Sequence, residues 1–255
     1  GTDYCGWQVQ NSRRSCASII PPSAARKPKK SIQEVIEKTL RKILQEDIKL
    51  CASGRTDAGV HALGQVANFK TSSKILPDKL KASLNSLLPR DIVVVSIEEV
   101  GLSFHSRFDA KSKIYRYTIL NRDYPCVSLR NKAYFYPHFL DISLMRREAR
   151  YFLGRHDFKS FSSSASRAKD TRRTIKNIAI RKSPYPDEKN RIITIEIEAN
   201  GFLYNMARRI VGTLIEVARG RFHPKISRKI LLSAGKEVSG PTAPACGLCL
   251  LTVKY

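Results

Sequence analysis

The sequence predicts an α+β fold, with helices packed against a mostly antiparallel sheet. Three observations carry this expectation. Helix-spaced and strand-like apolar runs recur in both halves of the chain, without the strict strand–helix alternation of a parallel α/β sheet. Residues 191–199 alternate cleanly through Ile193, Ile195 and Ile197, as a strand with one buried face does. Residues 32–45 set Ile32, Val35, Ile36, Leu40, Ile43 and Leu44 at helical spacing behind a capping box, Ser31 with Glu34.

The remaining elements follow in chain order. Residues 11–30, NSRRSCASIIPPSAARKPKK, are basic, small and broken by proline, and read as a mobile loop. After the first helix, strand-like runs at 48–51 and 66–69 flank a Gly-rich loop, ASGRTDAGVHALGQ. A second helix is predicted after Pro77, with Leu80, Leu84, Leu87 and Leu88 on one face, then a strand at 92–97. The pattern resets around 103–111, which divides the chain into halves 1–104 and 105–255. The second half opens with a strand at 113–119. A helix at 143–153, a Ser-rich loop at 160–166 and strands at 174–181 and 191–199 come next. A helix at about 202–218, with Met206, Ile210 and Val217 inward, precedes a closing strand at 248–253.

Composition narrows the partner. The 255 residues hold 46 Lys+Arg against 22 Asp+Glu, a net charge of +24, and the charges are scattered rather than gathered in a tail. A folded surface this basic suits a polyanion, nucleic acid first and an anionic membrane second. At 42% hydrophobic the chain can bury a substantial core. No apolar run approaches the length of a membrane span, and no signal peptide is read at the start. Six dispersed cysteines then point to reduced thiols and a cytoplasmic location. Cys246-Gly-Leu-Cys249 runs into a strand, where side chains three apart face opposite ways, so shared metal ligation there would need a bulge. The five histidines form no ligand-spaced cluster, and no metal is expected.

The Gly-rich loop decides the function. Taken alone, Asp57 in such a loop caps its own backbone, as turn aspartates do. Its surroundings change that reading. SGRTDAGVHALGQVANF resembles the signature of the tRNA pseudouridine synthases of the TruA type, which act on the anticodon stem-loop. GTDYCGWQVQ is similar to that family's opening motif, FDAKSKIYRY to its second-domain strand, and GRHDFKSF to its middle motif. NGFLYNMARRIVGTLIEVARG and GPTAPACGLCL are similar to its closing pair. The motifs occur in the family's order and cover nearly all of the chain outside residues 11–30. Family members have a strand ahead of the opening motif, and this chain begins inside that motif. They also run almost directly from the opening motif into the first helix. Residues 11–30 are therefore an insertion that either touches RNA or stays solvated.

The resemblance implies two similar α/β halves whose antiparallel sheets join into one central sheet flanked by helices, with the active-site cleft between the halves. It implies conversion of uridine to pseudouridine at tRNA positions 38, 39 and 40, by a homodimer and without cofactor. Asp57 is then the nucleophile, and a paired arginine keeps its carboxylate ionised and aimed. The resemblance gives that role to Arg208. Arg209 is the neighbouring alternative, and helix geometry turns the two about 100° apart. Arg55 matches a position that engages the target phosphates and helps extrude the base; a hydrogen bond within the loop is its plainer role. Tyr115 and Tyr117 share one face of a strand. The resemblance picks Tyr115 to stack on the flipped uracil and to take part in proton removal from C5. His61 is placed with the substrate-binding residues and reads as fixing the loop. The alternatives are a relative with another RNA target, or a non-catalytic tRNA-binding or RNA-chaperone protein.

Overall fold

The first half of the chain carries α1 (Ile32–Leu44), β1 (Cys51–Ala52), β2 (His61–Ala62), β3 (Ala67–Asn68) and α2 (Pro77–Leu87). The second half carries β4 (Ser112–Asn121), β5 (Tyr134–Tyr136), α3 (Ile142–Ala149), β6 (Gly154–Asp157), β7 (Arg172–Pro184) and β8 (Arg191–Ala199). It ends with α4 (Met206–Ala218), α5 (Ile226–Leu232) and β9 (Leu248–Lys254). The structure is a computed structural model that describes residues 3–8, 30–163, 168–185, 191–233 and 235–255. The expectation of a loop at 11–30 lies outside the described residues except at Lys30, as does part of the Ser-rich loop. The chain forms two compact units, one of residues Gly1–Gly59 with Val66–Asp109, the other of Val60–Gln65 with Ala110–Tyr255.

The first unit is built on α1 and α2. Ser31 Oγ accepts the backbone N–H of Glu34 at 3.1 Å, so the capping box starts α1 where the sequence predicts. Gln45 adopts the left-handed conformation, φ 56°, and ends it. Pro77 opens α2, where a missing N–H costs nothing. Leu40, Leu44, Ile48, Leu80, Leu84, Leu88 and Ile92 form the core between these helices and the chain beside them. Leu87, at the rim of the apolar stripe, stays 46% exposed, against expectation.

Among the described residues, 92–97 enter no ladder, although the sequence predicts a strand there. Their burial alternates as a strand's does: Ile92 is buried, while Val93 and Val95 are exposed. The side-chain amide of Asn85 on α2 takes both polar groups of Val94, donating to its carbonyl and accepting from its N–H, each at 2.8 Å. A side chain thus satisfies both backbone polar groups of Val94. The flanking runs at 48–51 and 66–69 likewise shrink to the two-residue ladder of β1 with β3.

The second unit holds a seven-stranded mixed sheet in the order β2-β9-β4-β8-β7-β6, with β5 pairing β4. The fold is therefore α+β, a large mixed sheet flanked by helices. β8 is central, antiparallel to β4 and to β7 along its whole length. Its Ile193, Ile195 and Ile197 are essentially unexposed. They lie on the sheet face that also presents Tyr117 and Ile119. On the other face Glu196 pairs with Arg116 and Arg181, and Glu198 with Lys254 and Ser112. Helix α3 is capped by Asp141, whose carboxylate accepts the N–H of Leu144, and it ends at Ala149, short of the predicted 153. Residues Arg150–Phe152 finish it as one 3₁₀ turn. The buried carboxylate of Glu148 accepts the N–H groups of Lys225 and Ser227 and so caps α5 from a distance in sequence. No helix among the described residues is long and apolar enough to cross a membrane.

Candidate active site

In the first unit the loop that carries Asp57 stands on a specific floor. The β1–β3 ladder closes its base, and Ser53 N donates to Val66 O at 2.8 Å. Trp7 N donates to Thr56 O at 3.1 Å. Gly6, with φ +107°, lies so close beneath that a Cβ there would fall 2.6 Å from Thr56 O and 3.3 Å from the Asp57 carbonyl carbon. Only glycine combines that φ with that approach. The opening motif therefore sets the height of the backbone on either side of Asp57. Gly6 and Trp7 were not among the predicted site residues; they lay inside a quoted motif, but nothing local linked them to Thr56.

The ladder is itself clamped from residues 104–109. Ser106 Oγ donates to Cys51 O at 2.6 Å, and Asn68 Oδ1 accepts the N–H of Ser106 at 3.0 Å. The Nδ1 of His105 accepts the N–H groups of Arg107 and Phe108, which leaves the proton on Nε2, 3.4 Å from Cys51 Sγ. His105 thus acts as a brace. Arg55 is exposed, and among the described residues no hydrogen bond ties its guanidinium to the loop.

In the second unit, Tyr115 and Tyr117 share a face of β4 and meet different surroundings. Tyr117 is buried, its hydroxyl donates to Pro244 O at 2.8 Å, and burial pushes its phenol far above the ordinary range. It is a core tyrosine. Tyr115 sits where the β4–β9 register shifts, beside a bulge between Ile114 and Tyr115. Bulges re-aim side chains and gather near active sites. The edge of one ring meets the face of the other between Tyr115 and Phe202, centroids 4.8 Å apart.

The two arginines of α4 go separate ways, as helix geometry requires. Arg209 reaches toward Ser160 O at 3.5 Å. Arg208 donates from Nε to Ala243 O at 2.7 Å and from Nη1 to Asn205 Oδ1 at 3.1 Å. The helix begins at Met206, later than the predicted 202, because Asn205 holds φ 63° and cannot continue a right-handed helix. Ala243 belongs to a strap, residues 239–244, that crosses α4. Gly240 N donates to Thr213 Oγ1 at 2.9 Å, Ala243 N to Arg208 O at 3.2 Å, and Pro244 O receives Tyr117. Adjacent carbonyls of the strap thus hold Arg208 and Tyr117. No local pattern signals this, because the strap follows α4 by more than a helix length.

His61 opens β2, which pairs in parallel with β9. Its Nε2 meets the carbonyl of Asn131 at 2.5 Å. Burial is the largest influence on the ring and holds its pKa below the ordinary histidine range, so the neutral ring is the donor. Cys246 contacts Ala133 O while Cys249 contacts Leu250 O. Among the described residues no group of three or more His, Cys, Asp or Glu is placed to hold a metal ion.

The sequence matches the family described as tRNA pseudouridine synthase over residues 22–109 and 149–255. A tRNA pseudouridine synthase A of Caldicellulosiruptor bescii is 44% identical over 255 residues, spanning all of this chain and 96% of that protein. One from Acetivibrio thermocellus is 42% identical over the same spans, and a tRNA pseudouridine synthase A 2 of Clostridium perfringens is 41% identical. These matches define the class of protein, an isomerase that acts on RNA. The chain belongs to the tRNA pseudouridine synthase family, and its reaction is the conversion of uridine to pseudouridine in tRNA.

Proposed function

We propose that the chain isomerises uridines of the tRNA anticodon stem-loop, with Asp57 as nucleophile. The supporting observation is the built floor under that residue: Gly6 and Trp7 hold the Thr56–Asp57 backbone at a height no larger residue at position 6 permits. A turn aspartate that merely caps itself needs no such support.

In the reaction the N1–C1′ glycosidic bond breaks, the base turns, C5 bonds to C1′, and the C5 proton leaves as N1 gains one. Nothing is oxidised or reduced and no atom is lost. The Asp57 carboxylate adds to an electrophilic carbon, C6 of the uracil or C1′ of the ribose, and departs at the end. Arg208 is its cationic partner, held by Ala243 and Asn205. Tyr115 stacks on the base and takes part in removal of the C5 proton. The exposed Arg55 engages the target phosphates, as the base leaves its stack before reaction. His61 supports the far end of the loop. The division into 1–104, carrying the Asp57 loop, and 105–255, carrying the Tyr115 strand and Arg208 helix, belongs to the same reading. So do action as a homodimer, testable by light scattering, and a cytoplasmic location. The net charge of +24 supplies affinity for the tRNA backbone.

The deciding experiment maps pseudouridines in tRNA incubated with the protein and with Asp57→Asn. Pseudouridine in the anticodon stem-loop, absent with Asp57→Asn although tRNA affinity is retained, is the expected result. Product formed by a verified Asp57→Asn preparation would refute the nucleophile. Product confined to another arm of the tRNA would refute the target.

A further inference from the structure

Asn205 precedes α4 in the left-handed region, φ 63°, and its side chain makes no capping bond to the helix. Glycine is the residue best suited to that backbone, and capping is the usual reason for asparagine at a helix start. Neither explains this side chain. Its amide oxygen is instead taken by Arg208 Nη1 at 3.1 Å. The first bond of α4, from Arg209 N to Asn205 O at 2.9 Å, uses only the backbone and would survive any substitution that keeps the left-handed turn.

Arg208 has a second anchor, Ala243 O, which receives Nε at 2.7 Å. The guanidinium is planar and rigid, so bonds at two of its nitrogens fix its plane as well as its position. Loss of the Nη1 bond removes one restraint on that plane and lets the group turn more freely about the last torsions of the side chain. Of these two bonds one goes to backbone and the other to the Asn205 side chain.

We propose that Asn205 is a positioning residue for the isomerisation: its amide oxygen, together with the Ala243 carbonyl, sets the orientation of the Arg208 guanidinium. The inference rests on the role of Arg208 proposed above. Misorientation of a charged partner by about 1 Å costs on the order of 100-fold in rate. It does so without weakening the binding of a large polyanion, which depends on many dispersed charges.

The test compares two substitutions by release of tritium from C5-labelled tRNA. Asn205→Gly keeps the left-handed backbone and removes the oxygen. Asn205→Asp keeps an acceptor oxygen, and aspartate also tolerates the left-handed region. The expected result for Asn205→Gly is a fall in kcat of about 10- to 100-fold, with KM for tRNA and the Tm unchanged. Asn205→Asp retains at least about a third of the parent rate, because the Nη1 bond persists. The inference is overturned if Asn205→Gly turns over at the parent rate. It is equally overturned if Asn205→Asp falls as far as Asn205→Gly, or if the glycine variant loses thermal stability in step with its rate. Arg208→Lys, measured alongside, separates the two levels. If it is inactive while Asn205→Gly is normal, only this inference fails. If it is fully active, the assignment of Arg208 fails and the inference with it.

Discussion

Gly212→Ala probes how the strap and the arginine depend on each other. A Cβ at position 212 would lie 1.7 Å from Pro241 O and 2.9 Å from Pro241 C, both backbone atoms, and real Cβ contacts essentially never fall under 3.0 Å. The strap must therefore retreat from α4 by more than about 1 Å, since a close-packed interior leaves no slack to absorb the methyl. Such a shift takes the 2.7 Å bond from Arg208 Nε to Ala243 O to the limit of hydrogen-bond range or past it. The bonds from Gly240 N to Thr213 and from Tyr117 to Pro244 O lie on the same strap and stretch with it. At about 0.5–1.5 kcal/mol each, three weakened bonds cost roughly 2–4 kcal/mol. The helix gains about 1 kcal/mol from replacing glycine by alanine. The net expectation is a loss of about 1–3 kcal/mol, or on the order of 2–10 °C in Tm. A fall in kcat of about 10-fold or more should accompany it, because Arg208 loses an anchor. Unfolding in urea should be followed by circular dichroism, since the single tryptophan, Trp7, belongs to the other unit. Gly101→Ala is the control, as the nearest atom to its added Cβ is 4.0 Å away. A Gly212→Ala protein with parental stability and kcat would refute the strap's role in holding Arg208.

Two further expectations concern neighbouring groups. Tyr115→Phe should lower kcat by about 10²- to 10⁴-fold with tRNA binding intact. Tyr117→Phe should instead cost about 1–3 kcal/mol of stability by leaving Pro244 O unpaired. Equal kinetic losses from the two would mean that the wrong tyrosine is assigned. His61, held neutral by burial, has a folded pKa below its unfolded value near 6.5. Its contribution is thus present above about pH 6.5 and is lost as pH falls toward the folded pKa, since the unfolded chain takes up the proton first. Urea midpoints measured from pH 7.5 to 5 should fall less steeply in His61→Gln than in the parent. Identical slopes would show that His61 does not titrate in this way.

Local pattern determined most of the secondary structure. Ser31 with Glu34, the apolar spacing of α1, Pro77 at the head of α2 and the isoleucine alternation of β8 act within a few residues, and each element formed where its pattern stands. Motif content also identified the family, because its runs are long and ordered. Candidate residues were legible one by one, and the angle between Arg208 and Arg209 followed from helix geometry alone. Tertiary structure decided what those residues rest on. Residues 92–97 have a strand's alternation, and the polar groups of Val94 are taken by Asn85 from α2, nine residues away. The start of α4 moved to Met206 because Asn205 turns left-handed with its amide on Arg208. Gly6 lies under Thr56, Glu148 caps α5, and the strap grips Arg208 and Tyr117 across distances of roughly 30 to 130 residues in sequence. Periodicity carries information over one or two turns or a single strand. Which distant backbone carbonyl meets which side chain is set only when the whole chain has packed.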